Sequence, residues 1–421
     1  MNAGIAEFNV GERAMKRTVW MLAALLVPLE GAAQVMNQLS VDREGQRVAL
    51  TGPPSVWSGG NSESRLFRRA AGGWTEDGRV PSPGWQRVEF IGDDLLIEGR
   101  RHSIVDGELT PKSGPLGVGP VAIGLGDSGP LIRGDRVLMG IEAFPHSPLR
   151  ILQADGEGWT TLAELPPPAD LPWVMGPVHA AFDEQRVAVL LMPLAERCGL
   201  LIYESGGNGW QRTGPLFPPV CGERAGLGGG SISLEGERLV IGAYPDPNMQ
   251  GRAGQLAVHA RGTGEWLETA RIERPTVEDD YTDDGMLPYA FGHRVQLVAG
   301  RIHVGTGYQI IRSHQDGVAI ESSVIHNGVM VFAEGSDGWS VERHLVHAHP
   351  TALFGTFFEV RGERLFIDSP LEDAAYVFAR SEAGYRMEAR LPAEPEDSKS
   401  EVPGDGNELE QTVPAGPTSD D

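Results

Sequence analysis

"SLEGERLVIGAYPD" occupies residues 233–246. It has alternating apolar residues, a tight polar turn at Glu235-Gly236-Glu237, and a second, β-branched run ending in small residues. This order predicts a β-hairpin, because alternation marks a half-buried strand and glycine in a short polar turn lets the chain reverse. The grammar recurs in "VDREGQRVALTG" (41–52), "EFIGDDLLIEG" (89–99), "LIRGDRVLMG" (131–140), "AFDEQRVAVLL" (181–191), "LVAGRIHVG" (297–305) and "EVRGERLFID" (359–368). The first apolar residue after each turn is Val48, Leu95, Val137, Val187, Leu239, Ile302 and Leu365, at separations of 42 to 63 residues.

Between these hairpins lies a second signature: a strand, a short Gly-containing turn and an aromatic. The aromatics are Trp74, Trp159, Trp210, Trp266, Trp339 and Tyr385; the second repeat has "SIVDGEL" (103–109) in their place. Each repeat therefore holds four strands, A to D. A four-stranded unit cannot bury both faces alone, and seven in tandem are expected to close into a ring. The expectation is an all-β, seven-bladed β-propeller over 34–391. Its blades lie near 35–85, 86–125, 126–176, 177–226, 227–289, 290–352 and 353–391. The first and last repeats hold their own four strands, so no strand need be exchanged across the closing seam. The repeated aromatics read as packing between neighbouring sheets. Arg47, Arg136, Arg186, Arg238, Arg301 and Arg364, each just after a turn, read as solvated turn residues.

The ends of the chain fall outside this pattern. Lys16-Arg17, the apolar run Val19 to Leu29 and the small residues Gly31-Ala32-Ala33 together read as a signal peptide cleaved after Ala33, with 1–14 an upstream extension. The apolar run is too short for a ~30 Å hydrocarbon core. The mature chain is thus expected to be exported, periplasmic or secreted, without membrane insertion. Residues 392–421 carry many acids, one Lys, and Pro, Gly and Ser throughout, which predicts a disordered acidic tail. A net charge of −23 argues against nucleic-acid phosphates as partners. The two cysteines, Cys198 and Cys221, are expected to form a disulfide in an exported protein.

With the repeat laid out, the chain resembles the FG-GAP repeat family, the propeller type of integrin alpha chains. Phe291-Gly292 and Phe354-Gly355 match the family's leading element, Leu227-Gly228 approximates it, and Gly242-Ala243 with Tyr244-Pro245 matches its second. The resemblance implies the propeller fold and little about activity. Members often carry a calcium site between strands A and B. Here those segments shrink to turns such as Arg361-Gly362-Glu363, too poor in oxygen ligands, so neither calcium nor another cofactor is expected.

Strands within a blade alternate direction, so A–B and C–D turns share one face, and B–C and D–A connections share the other. The second set holds the long segments: 165–176, 243–254, 273–289 and 306–327. Long loops carry function. The expected binding face therefore includes Tyr244, Asp246, Tyr281, Tyr308, His314 and His326 over blades 5 and 6. An acidic run (Glu278, Asp279, Asp280, Asp283, Asp284) and six histidines of blade 6 (His303, His314, His326, His344, His347 and His349) read as solvated or hydrogen-bonded loop residues, not metal ligands. His347 and His349 are the one histidine pair spaced for zinc, without an evident third ligand. Nucleophile motifs and phosphate-binding glycine loops are absent. The chain is thus expected to be a monomeric, non-enzymatic module binding a protein or glycan of the cell envelope. The alternative is a carbohydrate-active hydrolase or lyase on a propeller scaffold.

Overall fold

The computed structural model describes residues 38–51, 61–83, 88–97, 100–105, 108–112, 131–141, 144, 147–156, 158–167, 178–191, 199–216, 229–244, 254–275, 286–289, 291–313, 319–347, 354–355, 357–382 and 384–392. The proposed signal peptide, the acidic tail, Cys198 and Cys221 lie outside them, and no disulfide joins described residues.

The described chain is all β, in seven antiparallel sheets that follow one another along the sequence. Blade 1 holds β1 (Gln38–Val41), β2 (Arg47–Thr51), β3 (Asn61–Ala70) and β4 (Gly73–Pro83). Blade 2 holds β5 (Val88–Ile91), β6 (Asp94–Ile97), β7 (Arg100–Val105) and β8 (Glu108–Pro111). Blade 3 holds β9 (Leu131–Arg133), β10 (Arg136–Met139), β11 (Leu149–Asp155) and β12 (Gly158–Leu165). Blade 4 holds β13 (Val178–Phe182), β14 (Arg186–Leu191), β15 (Gly199–Gly206) and β16 (Gly209–Leu216). Blade 5 holds β17 (Gly229–Glu235), β18 (Arg238–Tyr244), β19 (Gln255–Arg261) and β20 (Trp266–Glu273). Blade 6 has a fifth strand: β21 (Met286–Tyr289), β22 (Val295–Val298), β23 (Arg301–Ser313), β24 (Ala319–Gly335) and β25 (Gly338–Val346). Blade 7 holds β26 (Phe358–Arg361), β27 (Arg364–Ser369), β28 (Ala374–Ser381) and β29 (Gly384–Leu391).

The second strand of each blade reads as a nearly unbroken buried run, as β14 and β27 show. Strands buried on both faces lose the apolar–polar alternation. The residues of one such strand divide between two cores. On β27, Leu365 and Ile367 pack with Val329 and Val331 of blade 6, whereas Phe366 packs with Val48 and Leu50 of blade 1. Seven apolar clusters result, one in each seam between adjacent blades.

The innermost strands touch in succession from β1 through β5, β9, β13, β17 and β22 to β26, and β26 touches β1. The ring is therefore closed. Side chains also satisfy the free inner edge of these strands, which no ladder reaches. Phe90 N donates to Ser40 Oγ (3.0 Å), Leu297 N to Ser233 Oγ (2.8 Å) and Val360 N to Gln296 Oε1 (2.8 Å), each across a seam.

The repeated aromatics pack against the preceding blade. Trp210 joins the core shared with blade 3, Trp266 that shared with blade 4, and Trp339 that shared with blade 5. Trp74 stands edge-on to Phe366 of blade 7, with ring centroids 5.9 Å apart. In blade 2, Ile104 and Leu109 fill the corresponding space.

The repeated arginines do not behave as solvated turn residues. Arg47 bonds Asp93 O and Oδ1 of the next blade, Arg136 bonds Glu184 O, and Arg186 bonds Gly236 O. Arg238 pairs with Glu334 of blade 6 at 2.6 Å. Arg364 meets Glu388, which also accepts Arg69 Nε and Trp74 Nε1 from blade 1. The cause is geometric. For Arg47, Arg136, Arg186 and Arg238 the turn of one blade lies beside the turn of the next, so the guanidinium just past it reaches the neighbour's carbonyls and carboxylates, whereas Arg301 and Arg364 pair with Glu342 and Glu388 of their own blades.

At the opposite face the blades meet backbone to backbone. A Cβ placed on Gly242 would stand 2.1 Å from Gly292 O. Gly292 has φ of +89°, which admits the close turn of Phe291-Gly292. The first and last blades keep their own strands, so packing, the Glu388 hub and the Arg65–Asp373 pair (2.5 Å) hold the closing seam.

Two outcomes are expected in denaturant unfolding. Gly242→Ala should cost about 3 kcal/mol or more through backbone collision, whereas Gly236→Ala, with φ of +56° and open space around it, should cost about 1 kcal/mol. Glu388→Gln should cost about 2 kcal/mol by weakening three charge-assisted hydrogen bonds at the seam. Equal effects at both glycines, or none at Glu388, would contradict this account.

Candidate functional site

Among the described residues, the face carrying the B–C and D–A connections differs most at blade 6. The second strands of the other blades have 4 to 7 residues, whereas β23 has 13 and its partner β24 has 17. Their ladder continues past Thr306↔Gly328 to Ser313↔Ala319, with a register shift at Thr306/Gly307. β21 pairs with the far part of β23, from Tyr289↔Gly307 to Met286↔Ile310. A three-stranded arm thus extends the blade by about 20 Å at ~3.3 Å per residue.

This corrects the sequence reading on two points. Residues 306–327, expected as a loop, are mostly hairpin, and Met286–Tyr289 belongs to the sixth sheet instead of a loop closing blade 5. The signal was present: "GYQIIRS" and "VAIESSVIH" are rich in β-formers, and Asp316-Gly317 lies between them.

Of the six expected binding residues, Tyr244 ends β18, Tyr308 lies on β23 opposite Ile325 and Pro288, and His326 lies on β24 opposite Gly307. Tyr308 and His326 therefore occupy adjoining registers of the arm. Asp246, Tyr281 and His314 lie outside the described residues, as do the acidic run 278–284 and His349.

Three blade 6 histidines are buried, not solvated. His303 Nε2 meets Tyr385 OH at 2.9 Å, and His344 Nε2 meets Thr306 Oγ1 at 3.3 Å. Burial pushes the pKa of each down to about 4, so both are neutral at ordinary pH. His347, at the end of β25, meets Glu372 Oε1 at 3.2 Å and Tyr376 OH at 3.3 Å. It is engaged by blade 7 and not held out as half of a zinc pair.

Glu372 is the centre of that contact and was not foreseen. It closes a 3-10 turn, Pro370–Glu372, between β27 and β28. Its Oε2 accepts from Tyr376 OH (2.7 Å) and Ser369 Oγ (3.1 Å). The bond with His347 chiefly, then those of Tyr376 and Ser369, lowers its pKa to about 2 against the opposing effect of burial. Burial, then Glu372, raises Tyr376 to about 12. A carboxylate so well supplied with donors is a weak base. The cluster fixes the mouth of the seam between blades 6 and 7, with Phe354 packed on both His347 and Tyr376.

Asp368 lies one residue before this cluster and is fully buried. Its Oδ1 accepts from Phe357 N at 2.7 Å, and Oδ2 has no hydrogen-bond partner. Burial raises its pKa well above the carboxylate range. An acid within the apolar strand "RLFID" is the only sequence trace of it.

No known protein family matches the chain, and no curated protein matches it. The FG-GAP assignment is therefore unsupported beyond the motifs themselves. Among solved structures, the chain is similar to a putative 6-phosphogluconolactonase from Bacteroides uniformis, at 12% identity over 82% of this chain and 95% of the other, with a TM-score of 0.45. It is also similar to the Aleuria aurantia lectin AAL, at 10% identity over 85% and 96%, with a TM-score of 0.38. A Penicillium chrysogenum alpha-L-arabinanase matches at 12% identity over 58% and 73%, with a TM-score of 0.35. Activity does not transfer between chains at such distances.

The Glu372 cluster sets a pH dependence. A folded pKa below the ordinary value contributes stability that is present above the usual carboxylate range and lost as pH falls toward 2. Glu372→Gln should therefore cost about 1–2 kcal/mol at pH 7, and the gap from the parent should close between roughly pH 4.5 and 2. A constant gap across that window in urea titrations would refute the ionised hub.

Proposed function

We propose that this protein is an exported, non-enzymatic binding module that contacts a protein or glycan of the cell envelope through the B–C/D–A face of blades 5 and 6. The observation that carries the reading is the β21–β23–β24 arm. The ring closes without it, since every seam core lies in the blades themselves. An added sheet with backbone edges, standing off a rigid ring, is suited to recognition by shape and by strand pairing. Tyr244, Tyr308 and His326 lie on this side, and a monomeric ring presents one such arm. A distant relation to FG-GAP propellers belongs to the same proposal, since Phe291-Gly292 and Phe354-Gly355 both form the close leading turns of their blades.

The alternative, a carbohydrate hydrolase or lyase, needs one protonated and one ionised carboxyl facing a substrate. Asp368 and Glu372 have that contrast in ionisation. Asp368, however, is fully buried, and three donors occupy Glu372. Their arrangement favours a structural role over catalysis.

The test compares chain 34–421 with a version whose residues 307–326 are replaced by a short Gly-Ser turn. Both are applied to a glycan array and to solubilised native cell envelope. Both should melt cooperatively, and the intact arm should bind at least ~10-fold more tightly, equivalent to ~1.4 kcal/mol. Undiminished binding by the armless ring would move the site elsewhere, and glycan cleavage by either chain would establish the alternative.

A further inference from the structure

On the face of the A–B and C–D turns, Arg47, Arg186, Arg238, Arg301 and Arg364 each meet a carboxylate. Two arginines closer to the axis, Arg43 in the turn after β1 and Arg133 at the end of β9, meet none among the described residues. In a chain of net charge −23, with acids in most turns, that is unexpected. Arg133 reaches across two blades. Its Nη1 donates to Phe182 O of blade 4 (2.9 Å) and to Leu234 O of blade 5 (3.0 Å). Phe182 and Leu234 belong to β13 and β17, which are innermost in their blades, as β9 is in blade 3. A side chain that joins three consecutive inner strands runs inside their circle. Its head therefore stands at the turn-face end of the central channel. Nη1 takes both carbonyls and fixes the guanidinium plane, while Nε and Nη2 make no hydrogen bond among the described residues.

Arg43 arrives from the other side. A Cβ on Gly134, the chain neighbour of Arg133, would lie 3.9 Å from Arg43 Nη1 and 4.0 Å from its Cζ. Arg43 thus crosses from blade 1, past blade 2, to the root of Arg133. The short turn of blade 2 lies tight against this point, with Gly92 N donating to Gly134 O at 2.8 Å. Behind Arg43, a Cβ on Gly45 would lie 3.2 Å from Arg361 Cβ of blade 7, and Arg361 is itself paired with Glu359. The acids of the rim are turned elsewhere. Asp42 accepts from Gln46 N (2.7 Å) and Arg47 Nε (3.1 Å), and Asp183 from Arg186 N (2.8 Å) and Gly236 N (3.2 Å). Glu235 accepts from Ala299 N (2.9 Å) and Gly300 N (3.2 Å). These carboxylates serve the turns and leave both guanidinium groups unpaired with an acid.

We infer that the turn-face mouth of the central channel binds a tetrahedral oxyanion, the phosphate or sulfate ester group of a small molecule, between Arg43 and Arg133. A guanidinium is a planar fork that matches two oxygens at once. A tetrahedral anion has oxygens for both forks, whereas a carboxylate has two oxygens and fills one. Arg133 is already oriented by Phe182 O and Leu234 O, so only Arg43 loses freedom on binding, which lowers the cost of association. The acidic charge of the rest of the chain acts at longer range. It is screened over about 8 Å at physiological ionic strength, so it weakens a direct axial contact little. This site lies on the face opposite the β21–β23–β24 arm and does not depend on it.

The test titrates the full chain with inorganic phosphate, sulfate, methyl phosphate, methyl sulfate and acetate by calorimetry at low ionic strength. Phosphate or sulfate should saturate one site per chain, and the tighter of the two methyl esters identifies the source. Acetate should bind at least ~10-fold more weakly. Arg43→Gln should weaken the tetrahedral anion at least ~10-fold with Tm unchanged, since Arg43 makes no bond within the described chain. Arg133→Lys keeps the charge and a donor for the two carbonyls but loses the fork. It should weaken the anion by a similar factor, with its Tm reporting that the ring is intact. Arg386→Gln is the control: it removes an exposed charge from β29, the outermost strand of blade 7, and should change affinity less than ~2-fold. No saturable binding of either inorganic anion, or unchanged affinity in Arg43→Gln, overturns the site. Equal weakening by Arg386→Gln reduces the effect to overall charge and overturns it too. Acetate binding as tightly as phosphate overturns the tetrahedral assignment.

Discussion

A propeller sheet has two apolar faces and no interior of its own, so each blade is stable only between two others. In this chain the dependence appears in the division of single strands. Leu365 and Ile367 look one way and Phe366 the other, into different cores. Burial at ~25 cal/mol per Å² is therefore shared across seams and never completed inside a blade. The polar contacts obey the same constraint. Ser40, Ser233 and Gln296 serve the inner edge of the next blade, and the arginines after the turns reach across to it.

The two faces of the ring solve the close approach of neighbours in different ways. On the turn face the blades are joined by long charged side chains that bridge a gap. On the opposite face, at the seam of blades 5 and 6, there is no gap, and the backbone of Gly242 lies directly against that of Gly292. Rigidity of the second kind lets the same face carry extra structure. The ladder of β23 and β24 runs on without a break in strand direction, so the arm inherits its orientation from the blade below.

How much of this is legible in the sequence depends on the range of the cause. Hairpins are local, and seven copies of one pattern are hard to misread; the ring, the four-stranded units and the self-contained end blades follow from them. The packing of Trp74 and Trp339 is likewise implied by repetition. Distance along the chain misleads elsewhere. A long interval between two strands reads as a loop when the strands themselves are long, as at 306–327. Arg186 looks solvated because its partner, Gly236 O, belongs to another repeat. Glu372 and Asp368 carry no motif at all, since their environment combines residues of blades 6 and 7.

The contacts that close the ring join residues almost a whole chain apart: Arg65 with Asp373, and Arg69 with Glu388. Loop closure over such separations is entropically slow, and partly built structures leave apolar surface open until it happens. During synthesis from the amino end, blade 1 must wait with Leu39, Val41 and Phe67 uncovered until blade 7 arrives to cover them. The nascent protein is thus an arc with two sticky ends whose natural mates are each other. In a crowded compartment, the far end of another arc is an equally good mate. Whatever holds neighbouring chains apart during that interval, whether a chaperone or the repulsion of a net charge of −23, is as much a condition of the fold as any contact within it.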